Sequence, residues 1–109
     1  QEQFELSEYG GMFISPQQQA INFRYRTSDV GYQSDWHVAG DPTLIIIQQG
    51  ALEIELRKGD KRTFGQGDCF IAADYLPQHI ALDNTMHGHR ARVLGDRYLA
   101  AIHIKLARI

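Results

Sequence analysis

Five histidines, His37, His79, His87, His89 and His103, are the residues of this chain best suited to chemistry near neutral pH. An imidazole, with an ordinary pKa near 6.5, can take up a proton, release one, or bind a metal through a ring nitrogen. His37 closes a polar segment that starts at Gly31 and runs into a Gly40-Asp41-Pro42 turn. His89 opens an alternating stretch in which His89, Ala91 and Val93 share one face and Arg90 and Arg92 take the other. That places a polar ring on the apolar side of a strand, where an imidazole without a partner would cost roughly 1–3 kcal/mol. His89 is therefore expected to meet a ligand, a water or another polar side chain such as Thr43. His103 lies between Ile102 and Ile104, opposite the apolar set Tyr98, Ala100, Ile102, Ile104 and Leu106, which predicts a surface position or a subunit contact. Asp74, His79 and His87 fall in the irregular segment from Asp74 to Gly88, where turn capping and loop surface are the simplest roles.

The elements that would position these groups are all strands. From Gly31 to Gly50 the polar segment and the turn are followed by an apolar run, Leu44 to Ile47, that belongs inside a core. After Gly50 the pattern alternates strictly, with Leu52, Ile54 and Leu56 against Glu53, Glu55 and Arg57, as a half-buried strand requires. Strands are predicted at 20–27, 32–38, 43–49, 51–58, 61–64, 69–73, 89–94 and 97–107, with turn signals at Gly59-Asp60 and Gly65 to Asp68. No helical period or internal repeat interrupts them, so a β-sandwich or barrel is expected. Residues 1–18 read as an arm with one or two short edge strands, and residues 19–109 as the barrel. The arm carries Phe4, Leu6, Met12, Phe13 and Ile14, too apolar for a free tail, and is expected to pair with a sheet edge of a second copy in a homodimer. The segment from Tyr75 to Gly88 is expected to act as a lid.

Composition narrows the partners. The chain has 109 residues, 43% hydrophobic and 22% charged, with a formal net charge of −2, which gives no electrostatic reason for nucleic acid or an anionic membrane. Its one cysteine, Cys69, leaves no internal disulfide and no Cys-based zinc site. Neither a spanning apolar run nor a signal segment is recognisable, so a cytoplasmic protein is the default expectation. Nucleophile-elbow, phosphate-loop and dinucleotide motifs are absent from the sequence.

The spacing Gly31-x5-His37, with Gly50 thirteen residues on and ALEIEL after it, resembles the first motif of the cupins. KRTFGQGDCFIAAD resembles the lead-in to their second motif, and Trp36-His37-x-Ala39 with Gly88-His89 resembles small single-domain members. The resemblance covers roughly residues 20 to 106 and implies an all-β, double-stranded β-helix (jelly-roll) barrel, usually dimeric, with a metal held by three histidines and a glutamate. His37 and His89 match the first and last histidine ligands; Ala39 and Thr43 stand where the second histidine and the glutamate would be. The resemblance therefore implies an eroded metal site.

The expected function is binding of a small organic ligand in the barrel, with His37 and His89 as catalytic acid and base and Trp36, Thr43, Ile45 and Ala91 as ligand-binding residues. On that reading no cofactor is needed. The alternative is a metal-dependent enzyme of dioxygenase or isomerase type, with zinc, iron, manganese or nickel on His37, His89 and a third donor from Asp74 or His87. A further alternative is a non-catalytic sensing or dimerisation module.

Overall fold

The computed structural model describes residues 5–37, 41–57, 59–72 and 88–107. Among them are nine strands and no helix: β1 (Ser7–Tyr9), β2 (Met12–Ile14), β3 (Ala20–Ser28), β4 (Thr43–Gln49), β5 (Ala51–Leu56), β6 (Lys61–Phe64), β7 (Cys69–Ala72), β8 (His89–Leu94) and β9 (Leu99–Leu106). No helix among the described residues is long and apolar enough to cross a membrane. All pairings are antiparallel, in a four-stranded sheet ordered β3-β9-β4-β7, a three-stranded sheet ordered β6-β5-β8, and the β1-β2 hairpin.

Short links at Gly50, at residues 65–68 and at residues 95–98 fold β4 over β5, β6 over β7 and β8 over β9. Gly50 shows why the first link is a glycine. Its φ is +84°, and a Cβ there would lie 2.7 Å from the Tyr98 carbonyl oxygen, so only hydrogen fits where the links converge. The core fills the space between the two large sheets. One wall supplies Ile45, Ile47, Phe70, Ala72, Leu99 and Ala101; the other supplies Leu52, Ile54, Phe64, Ala91 and Val93. Phe64 and Phe70 stack across the gap with ring centroids 4.1 Å apart. Burying an Ile or Leu side chain of this kind contributes roughly 1.5–3 kcal/mol.

Residues 32–37 differ from the expected continuous strand. They follow the free side of β8 through isolated bridges at Gln33–Arg92 and His37–His89. Tyr32 and Ser34 keep one register with Val93 and Ala91, and the chain then gains a residue before His37. At the irregularity the Ser34 hydroxyl, not a backbone carbonyl, accepts the Ala91 N–H at 2.9 Å. The extra residue is the reason the segment is bridged rather than laddered.

The face of β9 also differs from expectation. Ile45 of β4 pairs with His103, and Thr43 with Lys105. Residues directly opposite in a ladder share a face, and Thr43, Ile45 and Ile47 point to the core. His103 and Lys105 therefore lie on the inner face with Leu99 and Ala101, while Ile102 and Ile104 lie outside. In the arm, β1 and β2 pair with each other and with no edge of the larger sheets. Phe13 and Tyr9 are each 71% exposed. The radius of gyration, 14.9 Å, exceeds the about 13 Å of a compact chain of this length.

Candidate functional site at the open end of the sandwich

The two large sheets have a linked end and an open end. Gly50 joins β4 to β5 at the linked end, so Thr43 at the start of β4 and Leu56 at the end of β5 both lie at the open end. His89 is opposite Leu56, and Lys105 and Ala72 are both opposite Thr43, so all five positions lie there.

His37 and His89 form the centre of this end. Their backbones exchange two hydrogen bonds, His37 N–H to the His89 carbonyl and His89 N–H to the His37 carbonyl, both 2.8 Å. A directly opposed pair projects both side chains from one face, and the rings stand with centroids 4.5 Å apart, tilted by 57°. His89 is buried among the core residues that alternate with it, Ala91 and Val93, whereas His37 is exposed at the rim. The pair is thus lateral, side by side on one wall, and does not span the interior. Gly88 makes the approach close. Its φ is +88°, and any Cβ would overlap the His37 carbonyl.

The His37 ring is oriented by its own segment. Nδ1 lies 2.8 Å from the Asp35 carbonyl oxygen. A carbonyl only accepts, so Nδ1 carries the hydrogen and Nε2 presents a lone pair, the arrangement a proton acceptor or a metal ligand needs. Thr43 is buried on the other wall of the same end, and its hydroxyl donates to the Asp41 carbonyl at 3.0 Å. Ile45 and Ala91 lie one step deeper on facing walls, both in the core. Trp36 is on the opposite side of its sheet, with the Arg57 guanidinium 3.7 Å and the Arg90 guanidinium 4.7 Å from its ring centre. Asp74 and His87, the expected additional metal donors, lie outside the described residues, as do His79 and nearly all of the expected lid.

Among the described residues no group of three or more His, Cys, Asp or Glu side chains is gathered as for a metal. Two imidazoles do not fit zinc, which takes three protein ligands and a water in catalytic sites, or iron, which takes two histidines and a carboxylate.

Three further residues, Arg24, Arg26 and Lys105, join His103 on this inner face, where His103 had been expected at the surface or a subunit contact. Arg24 and Arg26 of β3 pair with His103 and Ala101 of β9, and Asn22 pairs with Lys105, so Arg24, Arg26, His103 and Lys105 face inward. The Arg26 guanidinium donates to the Ser28 hydroxyl and lies 5.3 Å from the Tyr32 ring centre, which ties β3 over the 32–37 segment. Burial, reinforced by Arg26, Lys105 and Arg24, pushes the His103 imidazole down to about 4, so it is neutral at pH 7. Burial also holds Arg26 below its ordinary value. The signal for these positions is the alternation of Asn22, Arg24 and Arg26 with Phe23 and Tyr25, whose facing is set only by the pairing with β9.

The fold is shared with solved structures. Protein NMB1881 from Neisseria meningitidis superposes with a TM-score of 0.56 at 17% identity over 94% of this chain and 88% of that one. The conserved SPY1581 protein of unknown function from Streptococcus pyogenes superposes with a TM-score of 0.56 at 13% identity over 87% of this chain and 71% of that one. No family model and no curated protein matches the sequence.

Proposed function

We propose that the chain is a small cupin of jelly-roll type that binds a small organic ligand at the open end of its barrel, with His37 and His89 as an acid–base pair. The observation that carries this reading is the pair itself: two imidazoles 4.5 Å apart on the core-facing side of one wall, one buried and one at the rim. A ligand atom above them is within reach of both rings. His37 accepts a proton at Nε2, because Nδ1–H is committed to the Asp35 carbonyl. Its neighbour His89 then serves as the complementary group. Thr43, Ile45 and Ala91 bound the cavity below, and Trp36 supports the wall from behind. The metal-dependent alternative requires a third donor from Asp74 or His87.

The protein acts as a homodimer in this reading, with a second copy on the outer face of β3-β9-β4-β7. Two rows of side chains cross all four strands there: Phe23–Ile104–Leu44–Ile71 and Tyr25–Ile102–Ile46–Cys69. Phe23 is 76% and Tyr25 59% exposed, and rings of this size carry about 150–250 Å² each. With the half-buried aliphatics and the apolar arm, the surface comes within reach of the about 800 Å² per partner of a standard interface. An uncharged face opposes a copy of itself without repulsion, which suits a two-fold contact.

The test is a thermal-shift screen of a small-molecule library against the wild type, His37→Ala and His89→Ala. Compounds that stabilise the wild type should lose at least tenfold in affinity in each variant, while His37→Ala changes the melting temperature of the unliganded protein little. Undiminished binding in both folded variants would refute the assignment.

A further inference from the structure

We infer that the ligand of the open end carries an anionic group, a carboxylate or a phosphate, received by Arg24, Arg26 and His103 on the wall facing the histidine pair. This rests on the reading of that end as a small-molecule site and names the chemistry it selects.

The placement comes from register. Arg24 lies directly opposite His103, which lies directly opposite Ile45 of the core. Arg26 is one step further in, beside Ala101, a fully buried residue. Because β9 folds over β8 and β3 over residues 32–37, this row looks across the sandwich toward His89 and His37 at the usual sheet separation of about 10 Å. The facing walls of the open end thus carry two imidazoles and a basic row.

The row has no carboxylate to balance it within its own sheet. The four strands β3, β9, β4 and β7 contain no aspartate or glutamate at all. The same strands place Phe23, Tyr25, Ile102 and Ile104 outside, so the usual apolar-in, charged-out arrangement is inverted at this edge. Departures of this kind are expected at functional or strained sites. The Nε2 of His103 adds a second indication: it is buried and has no hydrogen-bond partner. The groups around it are Arg24 and Arg26 from β3, Lys105 on its own strand and the uncharged Thr43 and Ile45 from β4, with His89 on the wall beyond. An oxyanion lodged here would screen the guanidiniums from each other and give Nε2 a partner. The Arg26 fork, held by its bond to the Ser28 hydroxyl, keeps further N–H donors for it.

The experiment follows the histidine ring signals by NMR while malonate, inorganic phosphate or the neutral diamide malonamide is added at constant ionic strength. The ring of His103 should shift saturably with an anion and not with malonamide, and its midpoint should rise from about 4 by about one unit or more, as a nearby negative charge requires. Whichever of malonate and phosphate binds tighter identifies the group. Arg24→Gln and Arg26→Gln should each weaken binding at least tenfold; Arg24 is exposed on an edge strand, so its variant tests the site without disturbing the core. Unchanged affinity in both variants, or a His103 ring that responds to neither anion, would overturn the inference. If the His37 and His89 rings shift while His103 does not, the anionic class fails and the open-end site survives. If only His103 shifts, the cationic row binds anions and the histidine pair is not part of the site.

Discussion

On the outer face of β6-β5-β8, Glu53 stands opposite Arg92 and Glu55 opposite Arg90, and both pairs close, at 2.8 and 2.7 Å. On the outer face of β3-β9-β4-β7 the equivalent cross-strand neighbours are Phe23 with Ile104 and Tyr25 with Ile102. The first face is a ladder of opposite charges that water solvates, and the Arg90 hydrogen bond holds the Glu55 carboxyl below its ordinary range. The second is a continuous apolar surface on which Phe23 and Tyr25 are well exposed. Both sheets share one core between them, and only their outer faces differ in this way. The four-stranded sheet thus carries different chemistry on its two sides: an apolar surface outside and, on its β3-β9 half, basic side chains inside.

The largest effect should follow from giving the apolar face the character of the other. Ile104→Glu places a carboxylate at the centre of one row. The proposed dimer should weaken by more than a hundredfold, because a buried unpaired charge costs several kcal/mol, and sedimentation equilibrium would read the change. A variant with the wild-type association constant would mean that the second copy sits elsewhere. The smallest effect should follow from the charged face. A double-mutant cycle on Glu53→Gln and Arg92→Gln, read by urea unfolding, should give a coupling of about 1 kcal/mol or less, since the arginine is half-exposed and the pair lies at the surface where salt screens it. A much larger coupling would show that this face too is desolvated by a partner.

Most of the strands were legible because two-residue alternation and glycine-marked turns are local signals. The run from Thr43 to Gln49, the hairpin strand Lys61–Phe64 and the stretch His89–Leu94 need no knowledge of their neighbours. The facing of β9 was not legible, because both of its sides are plausible cores: Leu99 and Ala101 on one, Ile102 and Ile104 on the other. The choice is made by pairing with β4, a contact between residues more than fifty positions apart. The same long-range pairing conceals the cationic row, whose arginines look solvated until β3 is placed beside β9. The histidine pair was anticipated on motif spacing and alternation. Its lateral geometry was not, because the register gain between Ser34 and His37 leaves no mark in the sequence.

The most direct test uses the contrast between inside and outside. The outer face of β6-β5-β8 also carries a shallow polar depression of about 340 Å³, lined by Gln33, Ser34, Glu53, Lys61 and Arg92 among others. Backbone amide shifts should be mapped for whichever library compound stabilises the protein most. The largest changes should fall at His37, Thr43, Gly88 and His89, around the proposed site at the open end. Largest changes at Gln33, Ser34, Lys61 and Arg92, with His37 and His89 unmoved, would contradict it.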